Sequence, residues 1–458
     1  MLILGFLSVA ACIVVWIGVY RLCVRHPLDV FALMMYLFAF MQIFRPLLFV
    51  LGLDTPHPDR LFMTVNYEPL LIEGQVLTIV WLLFMAWGAR LATGSPVGLG
   101  RVMPSVRGLP NSKVFLYIVA GITALALLVT LYLLKRFGGY AAMIYAVKVD
   151  KDLAGMYVLR QFGALGCFLS AALALYLAYL RRHGVARVAT FWIVMALAMA
   201  AVNMLCVFAW GNRGAAVMSF LSLMFGFHLF IQRVPIWGIG LATCLFVSAI
   251  LGLRVVRDQM LTGEISDSIS DESAIRAFSV GTNNTRFDAF MLMLKDFRDT
   301  DELRWGEDFV NGFAGMIPRS VWPNKPEVIA PGNWFRKNYD PDVKNGWPFT
   351  IVGEWYINFW YFGVCVGGLI SGFLYRVLQY VYVDFLKNPI SFIFSLIVVK
   401  MVFESGFWSQ GPTRYVLWCI PMLGVSWLLQ RTIPPRRQAA RHSAAPATAD
   451  APQPAGVA

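Results

Sequence analysis

The run Leu2-Ile3-Leu4-Gly5-Phe6-Leu7-Ser8-Val9-Ala10-Ala11-Cys12-Ile13-Val14-Val15-Trp16-Ile17-Gly18-Val19-Tyr20 carries no charge and stops at Arg21. At about 1.5 Å per helical residue it reaches across the ~30 Å hydrocarbon core of a bilayer. Val9-Ala10-Ala11-Cys12 has the outline of a lipoprotein cleavage box. No basic region precedes it and the apolar run continues past it, so an uncleaved first span is expected. Comparable runs recur at 28–52, 69–89, 114–134, 157–180, 188–210, 214–232, 235–252, 351–375, 389–404 and 415–431, giving about eleven spans. The expected class is an all-α polytopic membrane protein with one large outward-facing loop containing short helices.

Composition agrees. Of 458 residues, 59% are hydrophobic and 14% charged, and the mean hydropathy is +0.65. A soluble domain is about 45–50% apolar and about 25% charged. The net charge of +12 has no soluble basic domain to serve, so nucleic acid is excluded as a partner. The lipid bilayer and anionic, lipid-linked molecules are expected instead. Six of the seven cysteines fall in apolar runs, Cys23 lies in a short basic loop, and the long loop has none. Neither a disulfide framework nor a thiolate metal site is expected, and no cofactor is implied.

Basic residues orient the spans. Loops after the odd-numbered spans hold Arg21, Arg25, Arg90, Arg101, Arg107, Lys113, Arg181, Arg182, Arg187, Arg233, Arg376, Lys387, Arg431, Arg436, Arg437 and Arg441. The opposite loops hold fewer: Arg60, Lys135, Arg136, Lys148, Lys151, Arg213 and Arg414. The first set is expected in the cytoplasm. The chain then divides into spans one to eight (1–252), a large periplasmic loop (253–350), spans nine to eleven (351–431) and an Ala/Pro-rich disordered cytoplasmic tail (432–458).

Charges inside or at the ends of spans are costly and mark function by default. Arg45 lies about seven residues inside span two, roughly 10 Å deep. Arg160, Arg213, Arg254, Arg257, Glu354, Lys400, Glu404 and Arg414 gather at the outer boundary. Single arginines at helix ends can snorkel, and Lys400 with Glu404 can be a simple ion pair. Taken together they describe a basic vestibule at the headgroup level.

The long loop adds to it. Its acidic stretches, Glu264 to Glu272 and Asp296 to Glu307, lack ligand spacing and read as solvated surface, so no metal site is expected. Ala274–Leu294 has helical spacing and holds Asn283, Asn284, Arg286 and Asp288; Phe309–Met316 follows. Then Ile317-Pro318-Arg319-Ser320-Val321-Trp322-Pro323-Asn324-Lys325-Pro326 forbids a continuing helix and pre-places Arg319 and Lys325. Trp305, Trp322, Trp334, Tyr339, Trp347, Trp355 and Tyr356 can stack on sugars or form an interfacial aromatic belt.

Three runs carry a family resemblance. Gly211-Asn212-Arg213-Gly214-Ala215, the Ile-Pro-Arg-x-x-Trp-Pro-x-Lys-Pro run, and Gly353-Glu354-Trp355-Tyr356-Ile357-Asn358-Phe359 leading into Gly363-x4-Gly368 together resemble the oligosaccharide repeat-unit polymerases, the O-antigen polymerase group. The resemblance implies a fold related to polyprenyl-dependent membrane glycosyltransferases, in the bacterial inner membrane. It implies transfer of a growing glycan from undecaprenyl diphosphate onto a newly flipped lipid-linked repeat unit, building O-antigen, capsule or exopolysaccharide. A flippase and a chain-length regulator are the implied protein partners.

The leaving diphosphate needs preorganised cations. The substrate-binding candidates are Arg45, Arg213, Arg254, Arg257, Arg286, Arg319 and Lys325, with Trp322 and Tyr356 for sugar contacts. The acceptor hydroxyl needs a base or an aligning pocket; Glu354 is the first candidate and Asp288 the second. Two rivals stand beside this reading. An O-antigen ligase has a histidine in its large outer loop by family pattern, and this loop has none. A polysaccharide flippase or exporter wants a charged path through the bundle, where only Arg45 reaches inward.

Overall fold

The computed structural model describes residues 2–27, 29–53, 66–92, 102–106, 108–145, 157–210, 213–235, 237–238, 240–242, 245, 286–297, 303–317, 321–324, 331–339, 350–382, 387–403 and 407–433. Among them every regular element is helical. In chain order these are α1 (Leu2–Cys23), α2 (Val30–Gln42), α3 (Phe44–Val50), α4 (Tyr67–Leu91), α5 (Ser112–Phe137), α6 (Tyr140–Tyr145), α7 (Tyr157–Arg182), α8 (Thr190–Ala209) and α9 (Arg213–Phe230). There follow α10 (Arg286–Asp296), α11 (Glu307–Met316), α12 (Pro331–Tyr339), α13 (Ile351–Val381), α14 (Pro389–Phe403), α15 (Phe407–Arg414), a π-helical turn (Tyr415–Cys419) and α16 (Ile420–Arg431).

Among the described residues, seven helical stretches are long and apolar enough to cross a membrane: α1, α2 with α3, α4, α5, α7 from Gln161, α8 and α13. Gly214–Phe230 and Pro389–Val402 are shorter apolar helices. The expected eighth span, 235–252, lies largely outside the described residues. The expected eleventh, 415–431, is helical throughout, a π turn (Tyr415–Cys419) running into the twelve-residue α16.

Two breaks modify the simple spans. The second span divides at Ile43 (φ −110°, ψ −39°). Pro46 has no N–H to offer the Gln42 carbonyl four residues back, and that oxygen instead accepts the Gln75 side-chain amide of α4 at 3.1 Å. The ninth span breaks at Phe359 (φ −146°, ψ 20°) and Trp360 (φ 55°, ψ −147°). The chain turns back there: a Cβ at Gly363 would lie 2.3 Å from the Trp355 carbonyl oxygen. The expected single span 351–375 is thus a short buried helix, Ile351 to Asn358, folded against a long one.

Among the described helices, α4 and α13 pack most extensively. A Cβ at Gly372 would sit 1.9 Å from the Met85 carbonyl oxygen, and one at Gly88 1.9 Å from that of Leu369. Only glycine permits such backbone approach, the small-residue packing that joins helices in lipid. The register pairs Trp81 with Gly368 and Met85 with Gly372, so the two helices run parallel. On the other side of the bundle α7 is buried on nearly all faces, surrounded by α5, α8, α9 and α14.

Capping fixes the ends. Asp29 accepts the Ala32 N–H at 2.7 Å to start α2, and Thr350 accepts the Gly353 N–H at 3.0 Å to start α13. At the end of the bundle where α1 and α4 finish, Arg376 donates to the carbonyls of Cys23 (3.0 Å) and Ala89 (3.3 Å). Gln379 bridges Arg376 and Asp29. Arg376, expected in a cytoplasmic loop, is therefore buried within α13, where it satisfies the last carbonyls of two helices.

Candidate functional site

At the opposite end, where α4 and α13 begin, the long loop enters the protein. Residues Arg286 to Leu294 of α10 are all buried. Phe287 fills the space above Gly74 of α4, and Phe290 with Met293 covers Gly353 of α13. The sequence expected an outward loop carrying a helix; that helix is instead a plug wedged between α2, α4 and α13.

The plug carries Asp288 onto Arg45. The Asp288 carboxylate accepts the Arg45 Nε–H at 3.0 Å and its Nη2–H at 3.3 Å, and the Tyr67 hydroxyl donates to it at 3.1 Å. Both charged side chains are fully buried. The Arg45 guanidinium also lies 4.4 Å from the Phe49 ring centre, a cation–π contact. Arg286, two residues before Asp288, places Nη1 3.2 Å from the Met41 sulfur.

Glu354 lies in the first turn of α13, 1% exposed, where the helix N-terminus favours negative charge. Tyr356 is fully buried, its ring edge-on to Phe290 (6.3 Å) and Tyr361 (5.5 Å). It therefore serves packing rather than an open sugar face. Asn358, at the turn, holds the network together. Its Nδ2 donates to the Glu354 carbonyl (2.8 Å) and to Asp308 (2.9 Å), while its Oδ1 accepts the Gly306 N–H (3.2 Å).

Asp308 on α11 is buried and pairs bidentately with Arg304, at 3.0 Å and 2.9 Å. Burial pushes its carboxyl above the usual carboxylate range; the Arg304 charge and the Asn358 hydrogen bond pull the other way. The Arg304 N–H donates to the Ile357 carbonyl at 3.0 Å, and its guanidinium lies 4.9 Å from the Trp334 ring. Arg304 also borders an open cleft of about 290 Å³, shared with Phe297, Leu303, Glu307, Trp334, Asn338 and Tyr339.

The structure thus gathers Arg45, Arg286, Asp288, Glu354 and Tyr356 where α2, α3, α10 and α13 meet. Trp322 sits exposed in the turn 321–324. Arg213 begins α9, with its side chain outside the described residues. Arg254, Arg257, Arg319 and Lys325 lie outside them altogether, as does Glu404. Lys400 lies 4.4 Å from the Trp418 ring. Sequence reading missed Arg304, Glu307, Asp308, Asn338 and Asn358. Glu307 closed a stretch read as solvated surface, and the Arg304/Asp308 spacing of four was the available signal. Among the described residues no group of three metal-ligating side chains occurs. Comparison with family models, curated proteins and solved structures returns no match.

Proposed function

We propose that the chain is a membrane glycosyltransferase that lengthens a polyprenyl-diphosphate-linked glycan by adding repeat units at the outer face of the inner membrane. The observation that carries this reading is the plug-and-turn arrangement. A loop helix is buried among the spans, and the adjoining network ties a solvent-open, aromatic and polar cleft to the helix turn that bears Glu354. Such a junction serves a substrate with a lipid tail in the bilayer and sugars in water.

In this reading Glu354, held at the start of α13, accepts the proton of the acceptor hydroxyl as it attacks the anomeric carbon. The bond to the diphosphate breaks, and the departing oxygens need cationic partners. Arg45 and Arg304 are each matched by a buried aspartate. The diphosphate role is assigned to the sequence candidates Arg213, Arg254, Arg257, Arg286, Arg319 and Lys325. Arg45 and Asp288 hold the plug that carries Arg286.

The test is a deletion strain. It should display single-repeat surface glycan; the wild-type chain should restore long polymer, and Glu354→Gln at equal membrane level should lower it by about 10²-fold or more, the usual weight of a lost general base. Long polymer in the deletion strain would sink the assignment. Repeat units trapped on the cytoplasmic face would point instead to a flippase.

A further inference from the structure

We propose that the cleft between α11 and α12 is a subsite for one uncharged sugar ring, separate from the groups that meet the diphosphate. This rests on the glycosyl-transfer reading for its substrate class. The geometry carries the rest.

The cleft, about 290 Å³, sits near the lower end of the range for small-molecule pockets, about 300 Å³. That suits a single pyranose and little more. The lining is mainly polar; its smaller apolar part comes from Phe297, Leu303, Trp334 and Tyr339, with the Phe297 and Trp334 rings 5.8 Å apart. Its polar wall comes from Arg304, Glu307 and Asn338. A pyranose presents the complement: a face of C–H groups suited to an indole or phenol, and an edge of hydroxyls that both donate and accept. The Glu307 carboxylate can accept two such donors, Asn338 can do both, and Arg304 donates.

Charge decides which sugar. The Arg304 guanidinium is bound bidentately by Asp308 and lies 3.3 Å from Glu307. Among the described residues here, one cation is thus set against two carboxylates, with no positive surplus. A diphosphate or a uronate would meet the 60% exposed Glu307 side chain with like charge. A neutral ring meets only hydrogen-bonding partners.

The subsite is also wired to the chemistry. Arg304 borders the cleft, binds Asp308 and donates its own N–H to Ile357, while Asp308 accepts from Asn358, which donates onward to the Glu354 carbonyl. A sugar seated against Arg304 therefore lies three hydrogen-bonded steps from the turn of helix that presents Glu354.

The experiment uses the full chain in lipid nanodiscs, titrated separately with methyl glucoside, methyl galactoside, methyl N-acetylglucosaminide, galacturonate and inorganic pyrophosphate. Glycoside and galacturonate contacts are read by saturation-transfer proton NMR, and pyrophosphate binding by phosphorus-31 line broadening. At least one methyl glycoside should bind, and Glu307→Gln, Asn338→Ala and Trp334→Ala should each weaken it about tenfold, the effect of losing one hydrogen-bonded or stacked partner. Pyrophosphate binding should be unchanged in all three. Glu307 and Asn338 have exposed side chains, so their variants keep the fold even where Trp334→Ala does not. The proposal is overturned if no glycoside binds, if the variants leave glycoside binding intact, or if they abolish pyrophosphate binding. Failure here alongside a normal deletion-strain result removes the subsite and leaves the polymerase; variant-sensitive glycoside binding with long polymer in the deletion strain does the reverse.

Discussion

The Arg45–Asp288 pair joins the plug α10 to the second span at 3.0 Å. Both side chains are buried without exposure, and the carboxylate accepts from Arg45 and from Tyr67. Removing one member of a buried ion pair costs about 3–5 kcal/mol, whereas replacing both with apolar residues is often neutral. Arg45→Met or Asp288→Leu alone should destabilise the nanodisc-embedded chain by that much, read as a lowered unfolding midpoint, and the double variant should recover most of it. An unchanged midpoint in Asp288→Leu would remove the pair from the fold's support. Polymer made by the double variant would assign the pair to scaffold and leave Glu354 as the carboxylate of the reaction; loss of polymer at full stability would return Asp288 to the chemistry. The depth of Arg45 in an apolar run announced that it needed a partner. The partner's identity was not legible, because Asp288 lies 243 residues away and only the burial of α10 brings it near.

At the scale of elements, the α4–α13 contact and the turn at Phe359–Trp360 define where the site can sit. Gly88 and Gly372 each face a carbonyl oxygen that an added Cβ would approach to 1.9 Å, so the helices must separate before any side chain fits. Gly372→Val and Gly88→Val should each cost about 1–3 kcal/mol or more as overpacking. Gly121→Ala, with nothing within 4 Å of its added Cβ, should leave stability unchanged or slightly raised. Equal midpoints for Gly372→Val and Gly121→Ala would contradict the close pairing. Most spans were legible because twenty apolar residues have few alternatives in a bilayer. The break in the second span was marked by Pro46. The turn at 359–360 had no such mark: neither residue is Gly or Pro, and Trp360 is held at positive φ (55°), a strained conformation for a bulky side chain. What holds it is long-range, the donation of Arg304 and Gly306 backbone to Ile357 and Asn358. A local reading of the sequence therefore runs the helix straight through.

For the whole molecule, the parallel run of α4 and α13 is a constraint on topology. Two parallel spans start on the same side, as the alternation of basic loops requires of spans three and nine. The two ends of the bundle also differ in chemistry. Where α1 and α4 finish, Arg376 saturates backbone carbonyls and Asp29 caps α2, which is scaffold. Where α4 and α13 begin, charged pairs, the plug α10 and the open cleft gather, which suits substrate. From the asymmetry in loop Lys and Arg the second end is expected outside. The expectation is tested in a cysteine-less background with a membrane-impermeant thiol reagent. Cysteine at Asn324, an exposed position before the third proline of the clamp, should label in intact spheroplasts. Cysteine at Ala186, exposed between α7 and α8, should label only after the membrane is opened. Labelling of both from one side would break the alternation, and the reverse pattern would put the cleft in the cytoplasm. There a flipped, lipid-linked glycan could not reach it, and the proposed reaction would lose its substrate whatever the residues around Glu354 can do.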